Sequence, residues 1–209
     1  MIEQLIKQFV VFFVVIEPIS LVPMFGALTR GGSLRYRRKM ALKATMLGAT
    51  ILIAFALTGD YLLVALGIGV EAFKIGGGIL LFLISVDMVF ARSSGLRSTT
   101  VREQEEARYR EDISVFPLAF PLIAGPGALA TVLLMVGEVR GDVTAFIGML
   151  AVLISVILIA LILLLTTPFV MRVVGRSGAD VISRLLGVVL AALAVQYVTD
   201  GIRGTFGLG

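Results

Sequence analysis

The sequence predicts an all-α membrane protein with six transmembrane helices, arranged as a 3+3 inverted-topology repeat in which helices 1 and 4 are broken at mid-membrane. Three observations predict this fold class. The 209 residues are 58% hydrophobic and only 15% charged, which is too apolar for a domain of this size that faces water on all sides. Six apolar runs are long enough to span a bilayer. Proline pairs with the same spacing interrupt the first and fourth runs.

A spanning helix needs about 20 mostly apolar residues, and six segments meet that requirement. They are residues 5–27, 43–66, 71–91, 114–136, 143–168 and 181–203. The fifth is the clearest, since no charged residue occurs from Val143 to Met171. The predicted linkers include TRGGSLRYRRK, GIGV, GEVRGD and GRSGAD. The amino-terminal segment carries Glu3 and no A-x-A cleavage site, so we interpret it as a retained first span.

The longest linker divides the chain into two units. We predict a first three-helix repeat at residues 1–91, a charged cytoplasmic linker at 92–113 and a second, inverted repeat at 114–209. All but four of the 18 Lys and Arg residues lie in or beside the linkers of one side; the exceptions are Lys7, Lys74, Arg140 and Arg203. Because cytoplasmic linkers carry the excess of basic residues, we expect both termini to lie outside the cytoplasm.

An internal repeat is visible in the positions of proline and glycine. An offset of 103 residues places Pro18 on Pro121 and Pro23 on Pro126. With six more residues of offset, GILLFLISVD at 78–87 matches GVVLAALAVQ at 187–196. Each unit holds an odd number of spans, so the second unit enters the membrane in the opposite direction, as in many secondary transporters.

The interruptions of the two apolar runs predict a binding site. They are Pro18, Pro23, Pro121, Gly125, Pro126 and Gly127. Proline removes a backbone donor and disrupts the preceding turn, so we expect half-helices that begin near residue 19 and near residue 127. Their first-turn N–H groups carry partial positive charge, which favours an anion such as a substrate carboxylate. The alternative is a pair of kinked helices with a packing role only.

Glu17 is the only acidic residue that we place at mid-depth. A carboxylate inside a membrane is costly and is usually functional. Glu17 could bind a substrate ammonium, carry a coupling proton, or cap the half-helix that follows it. Ser20, Thr131 and Gln196 could add hydrogen bonds, although such residues also bridge helices.

Composition excludes several other kinds of site. Cysteine and histidine are absent, so no Cys- or His-ligated metal and no Ser–His–Asp triad can form. We expect no cofactor, no metal site and no nucleic-acid partner. An intramembrane aspartyl enzyme would need two adjoining carboxylates, whereas Asp60 and Asp87 should lie near opposite faces of the membrane. We therefore predict that the protein is not an enzyme.

Two packing expectations concern the second and third spans. Asp60 and Lys74 fall near the outer ends of these neighbouring helices, and we interpret them as an ion pair at the membrane interface. The alternative is that Lys74 extends to the interface without a partner. The run Gly76, Gly77 and Gly78 is expected to permit close contact with another helix.

Four stretches resemble the MarC family of bacterial and archaeal inner-membrane proteins: EPISLVPMFGALT, GGGILLFLISVDM, PLAFPLIAGPGALATV and LLGVVLAALAVQYVTDGI. The likeness covers essentially the whole chain in the same order. It implies a relation to LysE-type exporters and to transporters of small neutral amino acids such as glycine and alanine. In the family the first motif usually has Asp-Pro and a glycine two places on, where this chain has Glu17 and Ser20.

The expected function is secondary transport of small neutral amino acids in the inner membrane, coupled to protons, by alternating access around the broken helices. The expected partners are that substrate and the lipid bilayer, and the chain could also associate with copies of itself. The alternatives are a pore or channel for small polar solutes, and an exporter of other small metabolites or drugs.

Overall fold

The computed structural model describes residues 2–91 and 112–207, and within these ranges every regular element is helical. The elements are α1 (Ile2–Ile16), α2 (Pro18–Leu28), α3 (Leu34–Ala65), α4 (Val70–Val89), α5 (Ser114–Ile123), α6 (Pro126–Glu138), α7 (Val143–Leu165), α8 (Thr167–Val173) and α9 (Gly175–Phe206). The predicted charged linker at 92–113 lies outside the described residues except for its last two.

Five stretches of helix are long and apolar enough to cross a membrane, and a sixth is added when α5 and α6 count as one bent span. α1 and α2 together form the first stretch, which runs from Ile2 to Leu28. α3, α4, α7 and α9 supply the others. The protein is therefore an all-helical, multi-pass integral membrane protein, as the sequence predicts.

The surface of α7 shows how a helix divides between core and lipid. One face is buried against the rest of the bundle: Met149, Leu153, Val156, Ala160 and Leu164. The opposite face exposes large aliphatic side chains: Ile147, Ile154, Leu158 and Ile162. Both sets recur every three to four residues, which is the period of a helix with two distinct faces. The exposed face is too apolar for water and matches the hydrocarbon of a bilayer.

Two of the predicted linkers differ from the structure: TRGGSLRYRRK is wrong in its second half and GRSGAD is wrong throughout, because both regions are helical. α3 starts at Leu34 rather than near residue 43, since the Ser33 side chain accepts a hydrogen bond from the Tyr36 N–H at 3.2 Å and caps the helix. Four of the basic residues of this region thus lie on the first turns of a helix: Arg35, Arg37, Arg38 and Lys39. α9 starts at Gly175, so the predicted linker GRSGAD is helical throughout.

α4 and α9 pack closely through glycines. A methyl group at Gly78 would lie 2.8 Å from the Ala194 carbonyl oxygen and 3.1 Å from the Val198 N. A methyl group at Gly187 would lie 2.7 Å from the Met88 Cβ. The helices are antiparallel, since the early part of α4 meets the late part of α9. Backbone-to-backbone approach of this kind needs glycine on the facing side.

The three consecutive glycines of α4 have different surroundings. Gly78 faces α9, and Gly77 faces Leu134 of α6, where a methyl group would approach the Leu134 Cδ1 to 3.3 Å. A methyl group at Gly76 would meet nothing within 4 Å. The expectation of close contact is therefore met at Gly77 and Gly78 and is wrong at Gly76, because Gly76 points away from both neighbouring helices.

Gly78→Ala should destabilise the protein, whereas Gly76→Ala should not. The Gly78 methyl group would collide with backbone atoms of α9, and forced overpacking costs about 1–3 kcal/mol. The methyl group added by Gly76→Ala has free space. Alanine also favours a helix over glycine by up to about 1 kcal/mol. Thermal unfolding of the two purified variants in one detergent measures the difference. Equal melting temperatures would contradict the packing described for α4 and α9.

Ion pairs join the helices at one end of the bundle, which we call the Lys7 end. There the Lys7 Nζ lies 3.2 Å from the Glu138 Oε1, and the Arg140 Nε lies 2.8 Å from the Asp60 Oδ2. The predicted pair between Asp60 and Lys74 is wrong. Arg140 takes Asp60, and Lys74 pairs instead with Glu71, one turn before it on α4, at 3.1 Å.

The opposite end, which we call the Lys43 end, has its own ion pair. Lys43 of α3 donates a hydrogen bond to Asp112, the residue that precedes α5 by two positions. Ser114 donates to the same carboxylate from its backbone N–H and from its hydroxyl. The Lys43 ammonium and these Ser114 hydrogen bonds hold the pKa of Asp112 well below its usual range, because both favour the charged carboxylate.

Candidate functional site

Glu17 separates α1 from α2 by a single residue in the left-handed conformation. Its backbone angles are φ 48° and ψ 64°, a region that residues other than glycine rarely adopt. The Glu17 N–H still donates to the Phe13 carbonyl at 2.9 Å, and the Glu17 carbonyl already accepts from the Ser20 N–H at 3.1 Å. Pro18 follows as the first residue of α2, a position where its missing N–H costs nothing. A strained residue held by both neighbouring helices points to a functional position.

The Glu17 carboxylate is turned into the protein. The residue is only 2% exposed, and the Ser20 hydroxyl donates to the Glu17 Oε1 at 2.6 Å. The side chain makes no capping hydrogen bond to the first turn of α2, although Glu17 occupies the position of the cap. The interpretation of Glu17 as a side-chain cap is therefore wrong. A buried carboxylate needs hydrogen-bonded or charged partners, and the Ser20 hydroxyl is one of them.

The second break lies between α5 and α6. α5 is irregular, because Phe116 and Phe120 have extended backbone angles, and each precedes a cis proline. Gly125 is extended and precedes Pro126, which again is the first residue of a helix. The helix direction bends by 52° between the two segments. A methyl group at Gly125 would lie 2.2 Å from the Pro121 carbonyl oxygen, so the turn as built requires glycine.

The two breaks lie close together inside the bundle. A methyl group at Gly127 would lie 2.6 Å from the Ile84 Cδ1, 3.6 Å from the Val15 Cγ1 and 3.7 Å from the Leu81 Cδ2. Val15 is two residues before Glu17, and Leu81 is near the middle of α4. The amino terminus of α6 therefore meets the end of α1 at about half the height of the bundle. The first-turn N–H groups of α6 have no acceptor within their own helix and carry its positive dipole end.

Thr131 lies one turn into α6 and is fully buried, and its hydroxyl has no hydrogen-bond partner. The other buried threonines of the described ranges behave differently: Thr29, Thr45 and Thr167 each donate to a carbonyl three or four residues earlier in the chain. A buried hydroxyl without a partner costs about 1–3 kcal/mol. Thr131 is thus a polar group that a ligand or a water molecule would satisfy.

The remaining predicted site residues are two prolines inside helices and Gln196, and the prediction that Pro23 interrupts its helix is wrong because α2 continues through it. Pro23 lies inside α2, and Pro121 lies inside α5 near its end. Gln196 is exposed on α9 and donates to the Asp200 Oδ1 of its own helix at 2.7 Å. The structure therefore brings Gln196 to the outer surface of α9 and not to the breaks, because the face of α9 that packs on α4 carries Ala194 and Val198 instead.

Two further features lie outside the breaks. An open pocket of about 560 Å³ at the Lys7 end is lined mostly by apolar side chains of α3, α6 and α7, with the Asp60–Arg140 pair in its wall. It contains none of the break residues. In the part of the chain that the structure describes, no group of three or more Asp or Glu side chains is arranged to hold a metal ion.

Comparison with known proteins identifies relatives along the whole chain. The chain is 37% identical over 204 residues to UPF0056 membrane protein MJ1677 of Methanocaldococcus jannaschii, with 97% of each chain covered. It is 32% identical to UPF0056 membrane protein YvbG of Bacillus subtilis, covering 97% of this chain and 95% of YvbG. It is 32% identical to UPF0056 membrane protein YhcE of Escherichia coli, covering 96% and 92%. No solved structure matches this chain. The family model of the MarC family integral membrane proteins matches residues 2–206, and the chain belongs to that family.

Proposed function

We propose that the protein is a secondary transporter of small neutral amino acids such as glycine and alanine, coupled to protons, that binds its substrate where the two helix breaks meet. The observation that carries this proposal is the buried carboxylate of Glu17 close to the amino terminus of α6. A zwitterionic amino acid can bind both protein groups: its carboxylate accepts hydrogen bonds from the N–H groups at the α6 amino terminus, and its ammonium pairs with the Glu17 carboxylate.

The surroundings of the breaks favour a small substrate. Gly127 already packs against Val15 and Ile84, so little space separates α6 from α1 and α4. The neighbouring walls are aliphatic, and they would accept hydrogen or a methyl group as a side chain but would leave a charged side chain unpaired. The Thr131 hydroxyl is available for one further hydrogen bond to the substrate.

The packing of the helices supports an inverted repeat with broken first and fourth spans. α3 packs on α5 and α6, and α7 packs on α1 and α2 in the same manner. α4 packs on α6, and α9 packs on α2. Exchanging the two repeats reproduces each of these contacts, as a two-fold axis in the membrane plane requires, whereas the contacts of α1 with α6 and α9 have no counterpart of similar extent among the described helices.

The contact between α4 and α9 supports the same symmetry at the level of atoms. Gly78 and Gly187 are 109 residues apart, and so are Val89 and Val198. A methyl group at Gly78 would lie 2.8 Å from the Val198 Cγ2 and 3.1 Å from its N, and one at Gly187 would lie 3.1 Å from the Val89 Cγ2 and 3.1 Å from its N. The two contacts are copies of each other under exchange of the repeats.

In the proposed orientation the protein spans the inner membrane, the Lys43 end faces the cytoplasm, and both termini lie outside the cytoplasm. The basic first turns of α3 lie at the Lys43 end, and basic residues accumulate on the cytoplasmic side of membrane proteins. The Lys7 end then faces outward, together with the start of α1 and the end of α9.

Counterflow in proteoliposomes tests the proposal. Vesicles loaded with unlabelled alanine should accumulate labelled alanine transiently above equilibrium, because a carrier that reorients with substrate exchanges faster than it transports net solute. Labelled lysine and glutamate serve as controls and should not accumulate. Flux that rises linearly with concentration and shows no exchange would instead support a pore. Absence of exchange for every small neutral amino acid would overturn the proposed substrate.

A further inference from the structure

Gln8 of α1 is a buried amide with neither end satisfied. The residue has no exposed surface, and both its Nε2 and its Oε1 lack a hydrogen-bond partner. A free amide can make several hydrogen bonds, and buried polar groups are nearly always paired. Both ends of this amide are therefore available to a molecule that carries donors and acceptors.

Gln8 lies on the face of α1 that looks toward α6. It precedes Val15 by seven residues, which is two helical turns, so both side chains lie on one face. Val15 contacts Gly127 of α6, and Lys7 contacts Glu138 at the other end of the same helix. α1 and α6 therefore run antiparallel along a common seam, and Gln8 lies within it.

Unsatisfied polar groups are spaced along this α1–α6 seam. Thr131 is roughly 6 Å from Gly127 along α6, and Gln8 is roughly 10 Å from Val15 along α1, at 1.5 Å per residue. The Lys7–Glu138 pair closes the seam at the Lys7 end. The Tyr197 hydroxyl of α9 is also buried and lies beside the Glu138 carboxylate. The polar groups thus lead from the breaks to the Lys7 end.

We infer that the α1–α6 seam is the half of the transport route between the breaks and the Lys7 end, and that Gln8 binds the polar groups of the small zwitterion as it passes. This inference rests on the proposed function for the identity of the solute. In the described conformation the Lys7–Glu138 pair holds the seam shut. When α1 and α6 separate there, water and solute reach Gln8, and the amide donates to the carboxylate or accepts from the ammonium.

The first test replaces Gln8 by leucine, with asparagine as the matched control. Leucine has similar volume and removes both unpaired amide atoms, so Gln8→Leu should fold and should melt at a higher temperature than the wild type. If Gln8 binds solute, the same variant should raise the KM for alanine uptake at least tenfold. Gln8→Asn keeps an amide on a shorter arm and should retain more uptake. A stabilised Gln8→Leu variant with wild-type KM would overturn the inference.

The second test measures access to the seam directly. The chain has no cysteine, so each single-cysteine variant carries one thiol. Gln8→Cys should react with a small charged methanethiosulfonate, which does not cross the bilayer, from the side on which Leu66→Cys reacts and not from the side of Leu34→Cys. Leu66 and Leu34 are exposed near the Lys7 end and the Lys43 end respectively. Leu153→Cys, fully buried in α7, is the control for leakage through the core.

The expected reaction of Gln8→Cys is at least tenfold faster than that of Leu153→Cys, is slowed by millimolar alanine, and is accelerated by Glu138→Gln in the same chain. Reaction no faster than the control, or reaction from the Leu34 side, overturns the inference even if counterflow succeeds. If the wild type shows no counterflow but Gln8→Cys reacts from the Leu66 side and faster with Glu138→Gln, the seam stands and the proposed substrate fails.

Discussion

Glu17→Gln is expected to abolish most proton-driven uptake of alanine and glycine while leaving a folded protein. Glutamine keeps the size of the side chain and can still accept the hydrogen bond from the Ser20 hydroxyl. It cannot carry a charge or exchange a proton. A hydrogen bond to a charged group contributes about 1.5–3 kcal/mol, which corresponds to roughly a 10- to 150-fold loss of affinity for an ammonium when the charge is removed.

The companion variants separate charge from shape. Glu17→Asp keeps the carboxylate on a shorter arm and should retain more uptake than Glu17→Gln. Ser20→Ala removes the hydroxyl that holds the Glu17 Oε1 and should reduce uptake less than either, because the carboxylate itself remains. Initial rates of uptake in proteoliposomes with an imposed pH gradient measure all three. Wild-type rates and an unchanged pH dependence in Glu17→Gln would show that Glu17 neither binds substrate nor couples protons.

Gly125→Ala is expected to prevent the normal fold of the second break. The added methyl group would lie 2.2 Å from the Pro121 carbonyl oxygen, which is about 1 Å inside van der Waals contact. The clash is with backbone atoms of Pro121, and α6 begins directly after Gly125, so no flexible side chain can move aside to relieve it. We expect a loss of about 3 kcal/mol of stability, a lower yield of monodisperse protein, and no transport by the protein that remains.

Gly69→Ala is the matched control for this variant. Gly69 also precedes a helix as its cap, has the extended angles φ −68° and ψ 149°, and lies in open space, where a methyl group meets nothing within 4 Å. Its replacement should cost less than about 1 kcal/mol, the usual difference between residues at this position. Fluorescence-detected gel filtration after heating compares the two variants. A Gly125→Ala protein as stable as Gly69→Ala would contradict the geometry of the second break.

The parts of the fold that depend on local chemistry are predictable from the sequence. Proline fixes its own backbone angle and lacks an N–H, so Pro18 and Pro126 begin helices within one residue of the predicted half-helix starts. The spans are also predictable, because the thickness of the hydrocarbon layer sets the length of the apolar run that crosses it. The early start of α3 depends on the Ser33 cap, a local signal that is present in the sequence but that our prediction of a linker did not include.

The parts that depend on tertiary packing are not predictable in this way. Gln196 matches Asp87 in the repeat, but only the packing of α9 on α4 decides that it faces outward. Gln8 stands next to Lys7 near the start of an apolar run, where a polar residue is ordinarily solvated. Its burial follows from the contact of Lys7 with Glu138, 131 residues away, which brings α6 over that face of α1.

The glycine contacts between α4 and α9 also restrict how the two repeats can move. Gly78 faces Val198 and Gly187 faces Val89, so the two contact points are roughly 16 Å apart along α4 at 1.5 Å per residue. If α9 slid along α4 by one helical turn, Val198 would move from Gly78 to Lys74 or Phe82. The larger side chains there would prevent the close approach that glycine allows. We therefore propose that the two halves of the chain tilt about these contacts and do not slide lengthwise. Tilting that separates α1 from α6 at the Lys7 end would bring the halves together at the Lys43 end, so the proposed transport route would open to one side at a time.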